Sequence, residues 1–188
     1  MKKLFVLLSS LLFIIMFQNC SIFSSFNIES PDIKLTERID SVNIAVMPFS
    51  KQGPFLPSFS GSLFAEKLSD ELFLAKDYFI VDKSKIKEAF IELEIKNPTN
   101  LTFSEINKLG SRLNAKYIIT GRIQQYSNTE LIGMEAEYKI NVACRIISTD
   151  TGEVVGIITM LGKSKKVNVI DVLDSIAKKI VSGLNDGC

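Results

Sequence analysis

Residues 135–148 read EAEYKINVACRIIS, and the alternation of apolar and polar side chains along them decides the fold. Tyr138, Ile140, Val142, Cys144 and Ile146 fall on one side of an extended chain. Glu137, Lys139, Asn141 and Arg145 fall on the other. Successive side chains of a strand point to opposite faces, so this pattern predicts an antiparallel strand with one face on a core and one in water. The next residues, STDTGEVV (148–155), carry Gly152 and read as a turn. EVVGIITML (153–161) then returns as a strand, and AKYIITGRIQQY (115–126) supplies one before. Three strands in succession with short connections predict a meander. Cys144 sits in the apolar row, where a thiol behaves as a small buried hydrophobe.

The preceding residues read differently. SVNIAVMPF (41–49) is a short apolar run ended by Pro48, as a buried strand would be. The Gly/Pro-rich loop SKQGPFLPSFSGS (50–62) follows it. A helix is expected next, capped by Ser60 or Ser62, with Leu63, Leu68, Leu72 and Ala75 near one face. DYFIVD (77–82) reads as a second short strand. Asp82 is placed to cap a helix that turns Ile86, Ala89, Phe90 and Leu93 inward, and KNPTN (96–100) breaks it. Thr102 and Glu105 have the spacing of a capping box and open a helix with Ile106, Leu109 and Leu113 in register. The last helix is expected from about Asn168 to Leu184, with Val169, Val172, Leu173, Ile176, Ile180 and Leu184 as its inner stripe. The expected fold class is α/β. It is a single mixed sheet with a parallel β-α-β start, an antiparallel three-strand meander and helices packed on it.

The N-terminus has another character. Lys2 and Lys3 precede an apolar run, Leu4 to Phe17, that a helix would stretch over only about 21 Å, short of the ~30 Å hydrocarbon core. Residues 1–19 therefore read as a secretory leader ending on Cys20. A leader that ends on Cys resembles a bacterial lipoprotein signal, in which the Cys sulfur is acylated and becomes the new N-terminus. The box departs from the usual pattern in having Phe17 and Asn19 where Leu and a small residue are common. Cleavage without lipid and an uncleaved anchor are the alternatives. Residues 20–41 then form a lipidated Cys and a tether of mixed Ser, Asn, Pro and charge, and residues 42–188 form the domain. Removing the leader takes the formal charge from +1 to about −1. That balance gives no reason to expect nucleic-acid binding.

The chain contains no histidine, which removes the commonest general base and most zinc sites. Asp32, Asp40, Glu66, Asp70 and Glu71 read as solvated surface charge. LGKSKK (161–166) lacks the spacing of a phosphate-binding loop, because five residues, and not four, separate Gly156 from Gly162. No catalytic residue, metal ligand, cofactor or small-molecule substrate is expected. Cys188 ends the chain and gives no reason to expect a disulfide with Cys144. What remains are Phe55, Leu56 and Phe59 in the Gly/Pro loop. They are either a staple that tucks under the start of the helix or a partner-binding contact.

IAVMPF, the Pro/aromatic loop, VDKS (81–84), AKYIITG and STDTGEVV together resemble the CsgG-like lipoproteins, over roughly residues 42–184. This group has curli-secretion, peptidoglycan-synthase-activator and flagellar members. The resemblance implies a mixed α/β domain without enzymatic activity, held at the outer membrane by lipid and facing the periplasm, with an envelope protein or further copies of itself as partner. The loop from Gly53 to Ser60 lies where the curli channel carries its constriction, and here it is shorter. Neither KNPTNLTFS (96–104) nor QQYSNTELIGME (124–135) has room for the extra membrane-spanning hairpins of a channel. The expected role is an assembly or activator module for an envelope machine, with a ring-forming secretion component of curli type as the alternative.

Overall fold

A computed structural model describes residues 26–39, 42–54, 56–75, 78–128, 137–164 and 169–186. Eight strands form one mixed sheet, and four helices pack on its two faces. The strands are β1 (Phe26–Ile28), β2 (Asp32–Leu35), β3 (Asn43–Val46), β4 (Ser50–Gln52), β5 (Phe79–Ile80), β6 (Tyr117–Asn128), β7 (Glu137–Ser148) and β8 (Val154–Ser164). The helices are α1 (Ser60–Leu74), α2 (Lys83–Glu92), α3 (Phe103–Leu113) and α4 (Val169–Asp186). The spatial order is β1-β8-β7-β6-β3-β5, with β2 also on β8 and β4 also on β6. β3 runs parallel to β5 and β6, and β6, β7 and β8 form the antiparallel meander.

The segment 20–41, read above as a tether, contributes structure. Asp32 to Leu35 pair with Thr159 to Gly156, and Phe26 to Ile28 pair with Ser164 to Gly162. Ile33 and Leu35 alternate inward onto the main core, which local sequence gives little sign of in strands of three and four residues. The expected strand over 77–82 is reduced to Phe79 and Ile80, held beside Asn43 and Ile44.

The sheet carries two cores. On one face α1 and α4 lie over β3, β6, β7 and β8, with Phe64, Leu68, Leu72, Val172, Leu173, Ile176 and Ile180 meeting Ile119, Ile123, Val142, Cys144 and Ile158. On the other face α2 and α3 cover a smaller cluster built on Ala45, Met47, Ile118 and Ile147. Each aliphatic side chain buried completely contributes about 1.5–3 kcal/mol. The two-sided cover corrects the expectation of a wholly wet second face for β7. Arg145 is exposed, but Ile147, two residues on, is buried beneath the α2–α3 layer.

The local signals behave as their chemistry requires. The Asp82 carboxylate accepts from the Ser84 N–H at 2.7 Å and opens α2. Thr102 and Glu105 form the reciprocal capping box of α3. Neither Ser60 nor Ser62 caps α1. Phe59 holds the cap position, and Ser60 is buried with its hydroxyl unpartnered. The helix starts from a turn in which Ser60 N–H donates to the Pro57 carbonyl at 3.1 Å.

Candidate functional site

The Gly/Pro loop leaves β4 through Gly53, whose φ of +134° is open to glycine and strained for other residues. The loop backbone passes so close to β6 that a Cβ on Gly53 would stand 2.9 Å from the Gln125 Cβ. Lys51 donates to the Leu56 carbonyl at 3.2 Å and closes the loop on itself. Leu56 is 4% exposed and belongs to the main core, which is the staple geometry. Phe59 is 52% exposed at the start of α1. The loop thus separates its apolar residues, with Leu56 fixing it and Phe59 facing solvent. Phe55 and Cys20 lie outside the described residues.

A second apolar feature lies toward the other end of α1. Between α1 and α2, at the β3–β5 edge of the sheet, lies a groove of about 480 Å³ lined by Val46, Ile80, Phe73 and Phe90. Glu66 of α1 and Lys83 of α2 bridge its rim at 2.6 Å, and the lysine hydrogen bond holds the Glu66 carboxyl below the usual carboxylate range. Phe73 is 67% exposed, and Phe79, on the edge strand, 63%. The sequence reading passed over both. The available signal was phase, since Phe73 and Leu74 fall off the Leu68–Leu72 stripe and must face outward.

Among the described residues no three Asp, Glu or Cys side chains converge as a metal site would require. Cys144 is a free, fully buried thiol whose pKa desolvation pushes far up, the opposite of a nucleophile's environment. Tyr117 is buried and donates to Glu37 at 2.7 Å. Burial first, and then that carboxylate, raise its pKa, so it stays a neutral phenol. No helix among the described residues is long and apolar enough to cross a membrane.

No protein-family model matches the chain, and the search of curated proteins gives no relative. Solved structures do resemble it. The PelC dodecamer from Paraburkholderia phytofirmans superposes with a TM-score of 0.55 at 14% identity, covering 82% of this chain and 97% of that one. Lipoprotein GNA1162 from Neisseria meningitidis gives 0.55 at 13% identity, covering 77% and 99%. The LpoB C-terminal domain from Salmonella enterica gives 0.49 at 12% identity, covering 68% and 86%. At these identities the likeness is one of fold, and the curli-secretion branch gains nothing from it. The chain shares the mixed α/β fold of PelC and GNA1162.

Proposed function

We propose that this protein is a non-enzymatic lipoprotein module of the bacterial cell envelope. It is anchored at the outer membrane through an acylated Cys20, faces the periplasm, and recruits a protein partner through its Gly/Pro loop. Phe55 and Phe59 make the contact, while Leu56 holds the loop to the core. The observation that carries the reading is Phe59, a large aromatic left 52% exposed on a loop that is otherwise pinned. Binding residues sit disproportionately on loops positioned by a rigid scaffold. The shared fold with a structure named as a lipoprotein supports the envelope setting.

Crosslinking in intact cells, followed by identification of the crosslinked proteins, tests this. Phe59→Ala should leave the melting temperature nearly unchanged and remove the crosslinked partner. An unchanged partner set would overturn the role of the loop. Cys20→Ser should release the protein from the membrane fraction and abolish fatty-acid labelling.

The second reading is a ring-forming component, favoured by the fold shared with a protein solved as a dodecamer. Native mass discriminates the two. A ring predicts a large discrete assembly of the purified protein alone, and the recruiting module predicts a small one.

A further inference from the structure

Beyond the two helix-covered regions, one part of the sheet carries no helix among the described residues. Past the small cluster of α2 and α3, the outward sides of β2, β8, β7 and β6 stand in register. Lys34, Ile157 and Arg145 form one row, which ends at the buried Thr120 on β6. Asp32, Thr159, Ala143 and Arg122 form the next. Leu161, Asn141 and Gln124 follow, and then Lys163, Lys139 and Tyr126. Neither core cluster includes any of these residues. Lys34, Arg122 and Arg145 are exposed, Ile157 is 47% exposed and Tyr126 50%.

The charge on this face is one-sided. Among the described side chains of this face, Lys34, Arg122, Lys139, Arg145 and Lys163 outnumber Asp32 and Glu29, and Glu29 pairs with Lys163 at 2.8 Å. A chain with a formal charge of +1 thus concentrates cations on a sheet face that also bears Ile157, Leu161 and Tyr126. Cations interleaved with aliphatic and aromatic groups match a surface of anionic headgroups over hydrocarbon.

The chain end agrees. β1 pairs with the last residues of β8, so the N-terminal segment meets the sheet where Asn27 lies opposite Lys163, beside Lys139 and Tyr126. Five residues lie between Cys20 and Phe26, six steps along the chain with a reach of at most about 22 Å. A domain held by lipid at Cys20 therefore keeps this end of the basic face close to the bilayer.

We propose that the open face of β2, β8, β7 and β6 rests on a membrane surface of anionic phospholipids and orients the domain on it. The short tether rests on the lipid-anchor reading; the charge and exposure of the face do not. Every described element lies between Phe26 and Asp186, so an unlipidated chain beginning at Ser21 keeps all of them and isolates the face from the anchor.

The test is sedimentation of that chain with vesicles of equal parts phosphatidylglycerol and phosphatidylcholine, and with vesicles of phosphatidylcholine alone. Binding to the anionic vesicles is expected. It should weaken on the order of fivefold for each of Arg122→Gln, Arg145→Gln and Lys34→Gln. It should vanish at about 1 M salt, where the screening length falls to ~3 Å. Lys85→Gln with Lys87→Gln, on the exposed side of α2, should leave it unchanged. Thermal melts should show all variants folded. Equal binding to neutral vesicles, no binding to either, or an α2 pair as damaging as the arginines would each overturn the proposal. Failure of fatty-acid labelling at Cys20 would overturn only the anchor.

Discussion

The rings of Phe49 and Phe64 meet edge to face, with centroids 4.8 Å apart and planes inclined at 82°. Phe49 follows β3 and Phe64 lies one turn into α1, so the pair joins the exit of a central strand to the helix that covers it. Gly61 makes the approach close. Its carbonyl accepts from Phe49 N–H at 3.2 Å, and a Cβ there would overlap the Phe49 carbonyl oxygen.

Phe64→Ala should lower the unfolding free energy by about 3–5 kcal/mol, through lost transfer energy and the cavity left behind. Phe73→Ala, on the same helix but mostly exposed, should change it by less than about 0.5 kcal/mol. Urea denaturation of the two variants checks this. Similar losses at both positions would mean that the groove wall is part of the core.

The two sides of β7 should respond unequally in its outer half. Ile140 is buried and Arg145 is exposed. Ile140→Ala should cost about 2–5 kcal/mol, and Arg145→Ala less than about 0.5 kcal/mol. A large loss at Arg145 would place a covering element on the open face and remove the surface offered to lipid.

Gln125 is 5% exposed with both amide atoms unpartnered, directly beneath Gly53. A buried amide without a hydrogen bond costs about 1–3 kcal/mol. Gln125→Met, close in volume, should therefore raise stability by about 1 kcal/mol, read as a higher denaturation midpoint. A loss instead would show that the amide has a partner in solution.

Asp174 of α4 accepts from Lys178 at 2.7 Å and lies 3.3 Å from Lys67 of α1. The Lys178 hydrogen bond first, and then Lys67, hold its carboxyl below the ordinary carboxylate value against a smaller desolvation effect. A depressed folded pKa stabilises the fold fully above the unfolded value, near ~3.9, and the contribution is lost as pH falls through the folded value. The melting-temperature difference between the wild type and Asp174→Asn should thus be present at neutral pH and close in acid. A difference that persists unchanged below about pH 2 would assign the effect to packing.

Cys144 should resist alkylation in the folded protein, because its thiol is fully buried and desolvation disfavours the thiolate. Site-resolved mass spectrometry after iodoacetamide treatment should find it modified only once denaturant is present. Rapid native labelling would mean that β7 opens.

Much of the fold was legible because its causes are local. Asp82 and the Thr102–Glu105 pair reach backbone donors two and three residues away, so neighbours alone specify them. The α4 stripe and the alternation of β7 encode a buried face through period, whatever lies opposite. The division of the loop was not legible. Leu56 and Phe59 are both large and apolar in a Gly/Pro setting, and only the position of the main core makes one a staple and leaves the other in solvent.

The sequence by itself determined the helices, the caps of α2 and α3, the meander, and the absence of histidine chemistry, since composition and short-range period suffice for each. The tertiary structure alone decided that residues 26–35 join the sheet. Their hydrogen-bond partners lie on β8, with Asp32 opposite Thr159, and three or four residues carry too little pattern to announce a pairing that distant. It also decided which side of β7 is covered. Ile147 and Arg145 both belong to the outward row of one strand, and the α2–α3 layer ends between them, burying the first and leaving the second in water.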